Sequence, residues 1–174
     1  GALYKSMFLN EASLAGKIIH PHIVTIFDAV VEDEVSYIVM EYVEGGTLEK
    51  YCKPDNRLEN QVVAEIIFKC VRALAFANME GLIHRDIKPE NIFLTNEGGD
   101  VFVKLLDFGI AKTENLTKKT TGRRQSTMAG ESLGTPYYMS PEQFRNSKQI
   151  DHRTDLWSVG IVAYEALTGT LPFV

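Results

Sequence analysis

The stretch His84-Arg85-Asp86-Ile87-Lys88-Pro89-Glu90-Asn91 decides the reading of this sequence. It follows a long segment of helical apolar period and precedes a short β-rich run, so it reads as a loop held between two rigid elements. Asp86 and Asn91 are five residues apart on this loop, with Lys88 between them. Phosphoryl transfer needs a carboxylate to orient an attacking hydroxyl and a second group to hold a metal ion near the phosphates. Asp86 and Asn91 suit those two roles, and Lys88 suits neutralisation of the transferred group. Five positions fixed at about one residue in twenty each would match by accident in about one chain of this length in 20,000, so a chance polar loop is set aside.

Asp107-Phe108-Gly109 lies 21 residues after Asp86, directly behind the β-rich run Val101–Leu106. A carboxylate at a strand end is well placed for a divalent cation. The glycine permits an unusual backbone turn. Alone, three such residues would be an ordinary turn; their position relative to 84–91 gives them weight.

Further out, residues 5–19 read as a helix through Met7, Phe8, Leu14, Ala15 and Ile18, ended by Pro21. Ile23–Val31 and Val35–Tyr42 read as an antiparallel hairpin around Glu32-Asp33-Glu34. Gly45-Gly46 breaks the pattern, and Thr47 is placed to cap a short helix from Leu48. Residues 58–80 form the clearest helix, stopped by Gly81. Short strands are expected at Ile92–Leu94 and Val101–Leu106, with Asn96-Glu97-Gly98-Gly99 turning between them. Residues 111–134 are polar and aperiodic, a long loop of the kind usually kept for function. A last helix runs from Thr154 to Leu167 before Gly169. This order predicts an α+β fold, with a small strand-containing part and a larger helical part.

The 174 residues suffice for one domain with a sizeable core. A net charge of −5 argues against broad binding to nucleic acid or anionic membrane, and the basic cluster Lys118, Lys119, Arg123 and Arg124 reads as a solubilising patch. No apolar run approaches a bilayer span. Cys52 and Cys70 lack metal or redox spacing and read as reduced thiols of a cytoplasmic protein, with an anchor outside these residues still compatible. The chain begins Gly1-Ala2-Leu3 and stops in Pro172-Phe173-Val174, and neither end reads as a natural terminus.

With these motifs in order, the chain resembles the eukaryotic-like (Hanks-type) serine/threonine protein kinases over nearly every residue, from the helix that carries their ion-pair glutamate to the buried helix of the large lobe. The resemblance implies a bilobal fold, with 1–43 as the remainder of the N-lobe and hinge and 44–174 as the C-lobe. It implies ATP and Mg2+ as cofactors and proteins bearing Ser/Thr as substrates. Asp86 would be the base, and Asn91 and Asp107 the metal ligands. Glu11 would pair the ATP lysine, Met40 would be the gatekeeper, Glu41-Tyr42-Val43 the adenine hinge, and Phe93 would lie under the adenine. Gly134-Thr135-Pro136-Tyr137 and Ser140-Pro141-Glu142 resemble the end of the activation segment, and Lys88 with Thr135 points to Ser/Thr substrates. Asp155 resembles the aspartate that braces the catalytic loop. His84 and Phe108 would stack with Ala15 and Ile26 in a buried apolar column. Ser140-Pro141-Glu142-Gln143 and Asp151–Ser158 look most like bacterial members.

The sequence departs from the family in carrying no glycine-rich phosphate loop and no Val-Ala-Ile-Lys-like strand. Lys5 is too close to Glu11, in one predicted helix, to replace that lysine. Ser140 stands where the family usually has alanine, and Glu142 is expected to lack its usual arginine partner. The 174 residues alone are therefore expected to be weak or inactive, because this catalysis is mostly positioning. Phosphate on Thr113, Thr117, Thr120, Thr121, Ser126, Thr127 or Ser132 would pair with Arg85 and order the loop. The alternative function is a pseudokinase or scaffold; Asp86, Asn91 and Asp107 together argue against it. A small-molecule phosphotransferase is disfavoured by the activation-segment motifs.

Overall fold

The computed structural model describes residues 2–32, 35–98, 100–106, 108, 136–145 and 150–173. Helix α1 (Ala2–Gly16) starts and stops earlier than the period suggested. Gly16 ends it, ahead of Pro21, and Ile18 N–H closes the last turn on the Ala15 carbonyl at 3.1 Å. Phe8, Ala12 and Ala15, spaced by four and three, are buried against Ile26, Ala29, Val31 and Ile38 of the hairpin β1 (Ile26–Glu32) and β2 (Val35–Met40). The hairpin pairs Asp28 with Val39 through to Glu32 with Val35 in one register, and a bulge between Ile26 and Asp28 shifts the register before Ile26 meets Met40.

Both strands are shorter than expected. The preceding residues are committed elsewhere: Ile23 bridges Leu105, Val24 N–H donates to the Leu105 carbonyl at 2.9 Å, and Leu105 N–H donates to the His22 carbonyl at 2.9 Å. The His22 ring adds Nδ1–H to the Val103 carbonyl at 3.0 Å. The small hairpin part is thereby laced to β5 (Asp100–Leu105).

Gly45-Gly46 does more than break a pattern. Gly46 and Thr47 form a two-residue strand β3 on β4 (Ile92–Glu97), giving the sheet order β3-β4-β5. Gly45 has φ +146, and a Cβ there would run into the Leu94 carbonyl, so the close approach requires glycine. Thr47 does not cap a helix with its side chain; it pairs with Phe93, and a short 3-10 turn (Leu48–Tyr51) follows and buries Leu48 completely. The β4–β5 hairpin extends into the predicted turn, with Asn96 opposite Val101 and Glu97 opposite Asp100.

Helix α2 (Asn60–Met79) presents Val63, Ile66, Cys70, Ala73, Leu74 and Ala77 as one stripe to β5 and to α4 (Arg153–Thr168), with a one-turn α3 (Pro141–Phe144) before α4. Ile87, Ile92, Leu105 and Val162 close the same core, and full burial of such a side chain is worth about 2 kcal/mol. Gly169 ends α4 with φ 77, in the left-handed conformation typical of a helix stop. Among the described residues no helix is long and apolar enough to cross a membrane.

Candidate active site

The loop after α2 is pinned from beneath. Ile87 is 1% exposed and anchors it in the core. A 3-10 turn (Pro89–Asn91) then starts with proline, whose fixed φ suits a first turn. Asn91 N–H donates to the Lys88 carbonyl at 2.9 Å, and the buried Asn91 amide donates through Nδ2 to the Asp86 carbonyl at 2.9 Å and to Asp86 Oδ2 at 3.4 Å. Lys88 Nζ lies 3.9 Å from the same Oδ2. The structure thus gathers Asp86, Lys88 and Asn91 at one place. With Nδ2 committed to Asp86, the atom Asn91 can offer a cation is Oδ1, a hard donor of the kind magnesium takes.

The backbone here is strained and held. Arg85 has φ 64, the one positive value at a non-glycine among the described residues, which costs roughly 1–2 kcal/mol. Asp155, 4% exposed in the first turn of α4, accepts His84 N–H and Arg85 N–H, one on each oxygen, both at 2.8 Å. This is the brace expected of Asp155. His84 is fully buried; its Nε2 lies 2.7 Å from the Leu106 carbonyl, and Asp86 N–H lies 3.2 Å from its Nδ1. A carbonyl only accepts, so the proton sits on Nε2 and Nδ1 is the acceptor. Leu106 N–H also donates to the Asn91 carbonyl at 2.9 Å, so the residue preceding position 107 is tied to the loop at both its polar groups.

Asp107, Thr135 and the candidate phosphate acceptors between 113 and 132 lie outside the described residues. Glu11 falls in α1, with its side chain also outside the description. Phe108 is buried and packs against His84 with ring centroids 4.5 Å apart and planes tilted by 50°. Ala15 is buried, but Ile26 is only half-buried, contrary to expectation. These two pack in the cluster under α1, whereas Phe108 belongs to the main core; the edge position of β1 leaves Ile26 partly uncovered.

Along the expected hinge, Met40 ends β2 opposite Ile26, Tyr42 is 91% exposed, and Val43 and Phe93 are half-buried. Glu41 is occupied on two sides: its N–H donates to the Thr25 carbonyl at 2.9 Å, and its carboxylate pairs with Lys104 Nζ at 2.6 Å. Lys104 faces Phe93 across the β4–β5 ladder, so hinge and sheet are joined beside the expected adenine floor.

Three contacts go beyond what the sequence indicates. Ser140 is fully buried and its Oγ meets Thr154 Oγ1 at 2.6 Å, tying the start of α3 to α4. Tyr138 donates its hydroxyl to Glu165 at 2.6 Å. Burial pushes both groups up from their ordinary pKa, and the neighbouring carboxylates of Glu90 and Glu49 add to the rise at Glu165. Gln143 reaches from α3 to the Arg85 carbonyl at 3.0 Å. The capping pattern Ser-x-x-Gln is visible in the sequence, but nothing in it indicates the contact with Arg85.

The protein kinase domain family matches residues 2–174. A probable serine/threonine-protein kinase of Clostridium perfringens is 42% identical over 166 residues, covering 95% of this chain and 23% of that protein. Serine/threonine-protein kinase pkn3 of Myxococcus xanthus is 43% identical over 168 residues (95% and 30%), and PrkC of Bacillus subtilis is 39% identical over 166 residues (95% and 24%). The chain thus spans about a quarter of the length of these relatives. Among solved structures, a point mutant of the Mycobacterium tuberculosis PknI kinase domain superposes with a TM-score of 0.77 at 26% identity, covering all of this chain and 61% of that one. Rad53 in complex with AMP-PNP gives 0.74 at 30% identity, covering 97% and 39%. Loop, brace, fold and relatives agree: the chain belongs to the protein kinase domain family, as a partial kinase-like fold of the bacterial Hanks type.

Proposed function

We propose that this chain belongs to an enzyme that transfers the γ-phosphoryl group of ATP to serine or threonine hydroxyls of proteins. Asp86 accepts the hydroxyl proton as the oxygen attacks phosphorus and the bond to ADP breaks. Lys88 offsets charge on the transferred group, and Lys88 with Thr135 directs the transfer to serine and threonine. Asn91 and Asp107 would hold magnesium, which when bound would supply electrostatic stabilisation of the phosphates. Glu11 pairs the ATP lysine, and Met40, Glu41, Tyr42, Val43 and Phe93 surround the adenine. Because the sequence carries neither a glycine-rich phosphate loop nor a strand lysine, the 174 residues alone turn over weakly.

The observation that carries the reading is the Asn91 amide bonded to both the backbone and the carboxylate of Asp86, on a loop whose strained backbone is bolted to α4. The test is Asp86→Asn in the protein as its gene encodes it, assayed with radiolabelled ATP and a serine-bearing protein. The expected loss in kcat is about 10²–10⁴-fold with nucleotide binding retained. Undiminished transfer in the variant refutes the assignment, and nucleotide binding without any transfer in the unaltered protein favours a scaffold.

A further inference from the structure

Gln143 divides its amide between two structures. One end closes α3: Ser140 N–H donates to Oε1 at 3.0 Å while Gln143 N–H donates to Ser140 Oγ at 3.4 Å. The other end leaves the helix, and Nε2 donates to the Arg85 carbonyl at 3.0 Å. Arg85 is the strained residue of the loop, and its N–H is already fixed by Asp155. The peptide between Arg85 and Asp86 carries the carbonyl that Gln143 holds and the N–H that His84 accepts. Turning that plane would swing Asp86 out of place. Gln143 also lines the same cleft as Arg85, Asp86 and Lys88.

A capping box needs only an acceptor at its third helical position, which glutamate and glutamine both provide. Glutamine alone adds a donor. We infer that Gln143 is a positioning residue that locks the Arg85–Asp86 peptide to the Ser140–Phe144 segment, so that the aim of the Asp86 carboxylate depends on that segment being seated. The inference rests on the reading of Asp86 as the base.

The variant that isolates it is Gln143→Glu, in the protein as its gene encodes it. It keeps the acceptor for Ser140 N–H and sets an oxygen against the Arg85 carbonyl. The expected result is a kcat about tenfold lower, with KM for ATP and for the protein substrate within about twofold, since misaim of a reacting group acts on the chemical step. The urea midpoint stays where it is. Gln143→Ala also removes the acceptor for Ser140 N–H, half of the capping box, and lowers both kcat and the midpoint. An unchanged kcat in Q143E, or a loss that only follows the fraction unfolded, overturns the inference. Asp86→Asn run alongside separates the failures: activity kept there removes the base assignment itself.

Discussion

Replacing Asp155 by asparagine tests the physical claim on which the site stands. The carboxylate is 4% exposed and receives two backbone N–H groups at 2.8 Å. Asparagine can accept only one of them and must point its own NH2 at the other. A hydrogen bond to a charged group contributes about 1.5–3 kcal/mol, and a buried N–H without an acceptor costs about 1–3 kcal/mol. The loop has one way to limit the damage. Arg85 holds roughly 1–2 kcal/mol of left-handed strain, which is released when its backbone rotates. The net loss of stability is therefore about 2–3 kcal/mol, and relaxation of the loop displaces Asp86. Equilibrium urea unfolding should show a lower midpoint with an unchanged slope, because no additional surface is exposed in the native state. Kinase activity should fall by more than the folded fraction does. A stability change under about 0.5 kcal/mol together with full activity would refute the idea that Asp155 holds a strained loop.

Gly169→Ala should cost about 2–4 kcal/mol in urea unfolding, because a Cβ would meet Pro54 Cα at 2.6 Å and the Lys53 carbonyl carbon at 2.7 Å at φ +77. Gly81→Ala, at φ +80 with nothing within 4 Å, should cost only about 1 kcal/mol, and equal losses would show that the contact with 53–54 is immaterial. Glu165 has its pKa raised by burial, so its charged form opposes folding at neutral pH and its protonated form does not. The wild type should gain stability relative to Glu165→Gln as pH falls through the raised pKa toward the ordinary carboxylate range near about 4.3, and a gap moving the other way would contradict this. The thiols of Cys52 and Cys70 are pushed up to about 12 by burial. At pH 8 their thiolate fraction is then on the order of 10⁻⁴, so a disulfide reagent should label neither until urea unfolds the chain; rapid labelling of native protein would exclude the buried placement.

The three long helices and the loop 84–91 are legible in the sequence because they rest on local periodicity and on residue types with few alternatives, whereas the one-turn α3 carries no period and goes unread. Helix α2 shows its stripe in sequence, and the ends at Gly81 and Gly169 follow from conformations that glycine tolerates. Boundaries at the small hairpin are less legible. Ile23 and Val24 look like any strand residues, and only the distant β5 edge draws them out of β1. Strand β3 is hidden for the same reason, since two residues carry no period and Gly46-Thr47 is recognised only by its partner β4. At the site, Asp86, Lys88 and Asn91 sit within one short segment and can be grouped without coordinates. Gln143, Lys104 and Thr154 make their contacts across larger sequence separations, with side chains that elsewhere are ordinary surface or cap residues.

The lacing of the small hairpin part to β5 has a mechanical corollary. His22 and Val24 fasten to Val103 and Leu105, while the Glu41 carboxylate fastens to Lys104 between them. A body moored at two places cannot slide freely, but it can rock about the line that joins them. Here both moorings land on three consecutive residues of a single strand, so the axle for any tilt of α1 and its hairpin is carried by β5. In the chain, Leu106 alone separates that axle from Asp107, the residue proposed to hold magnesium.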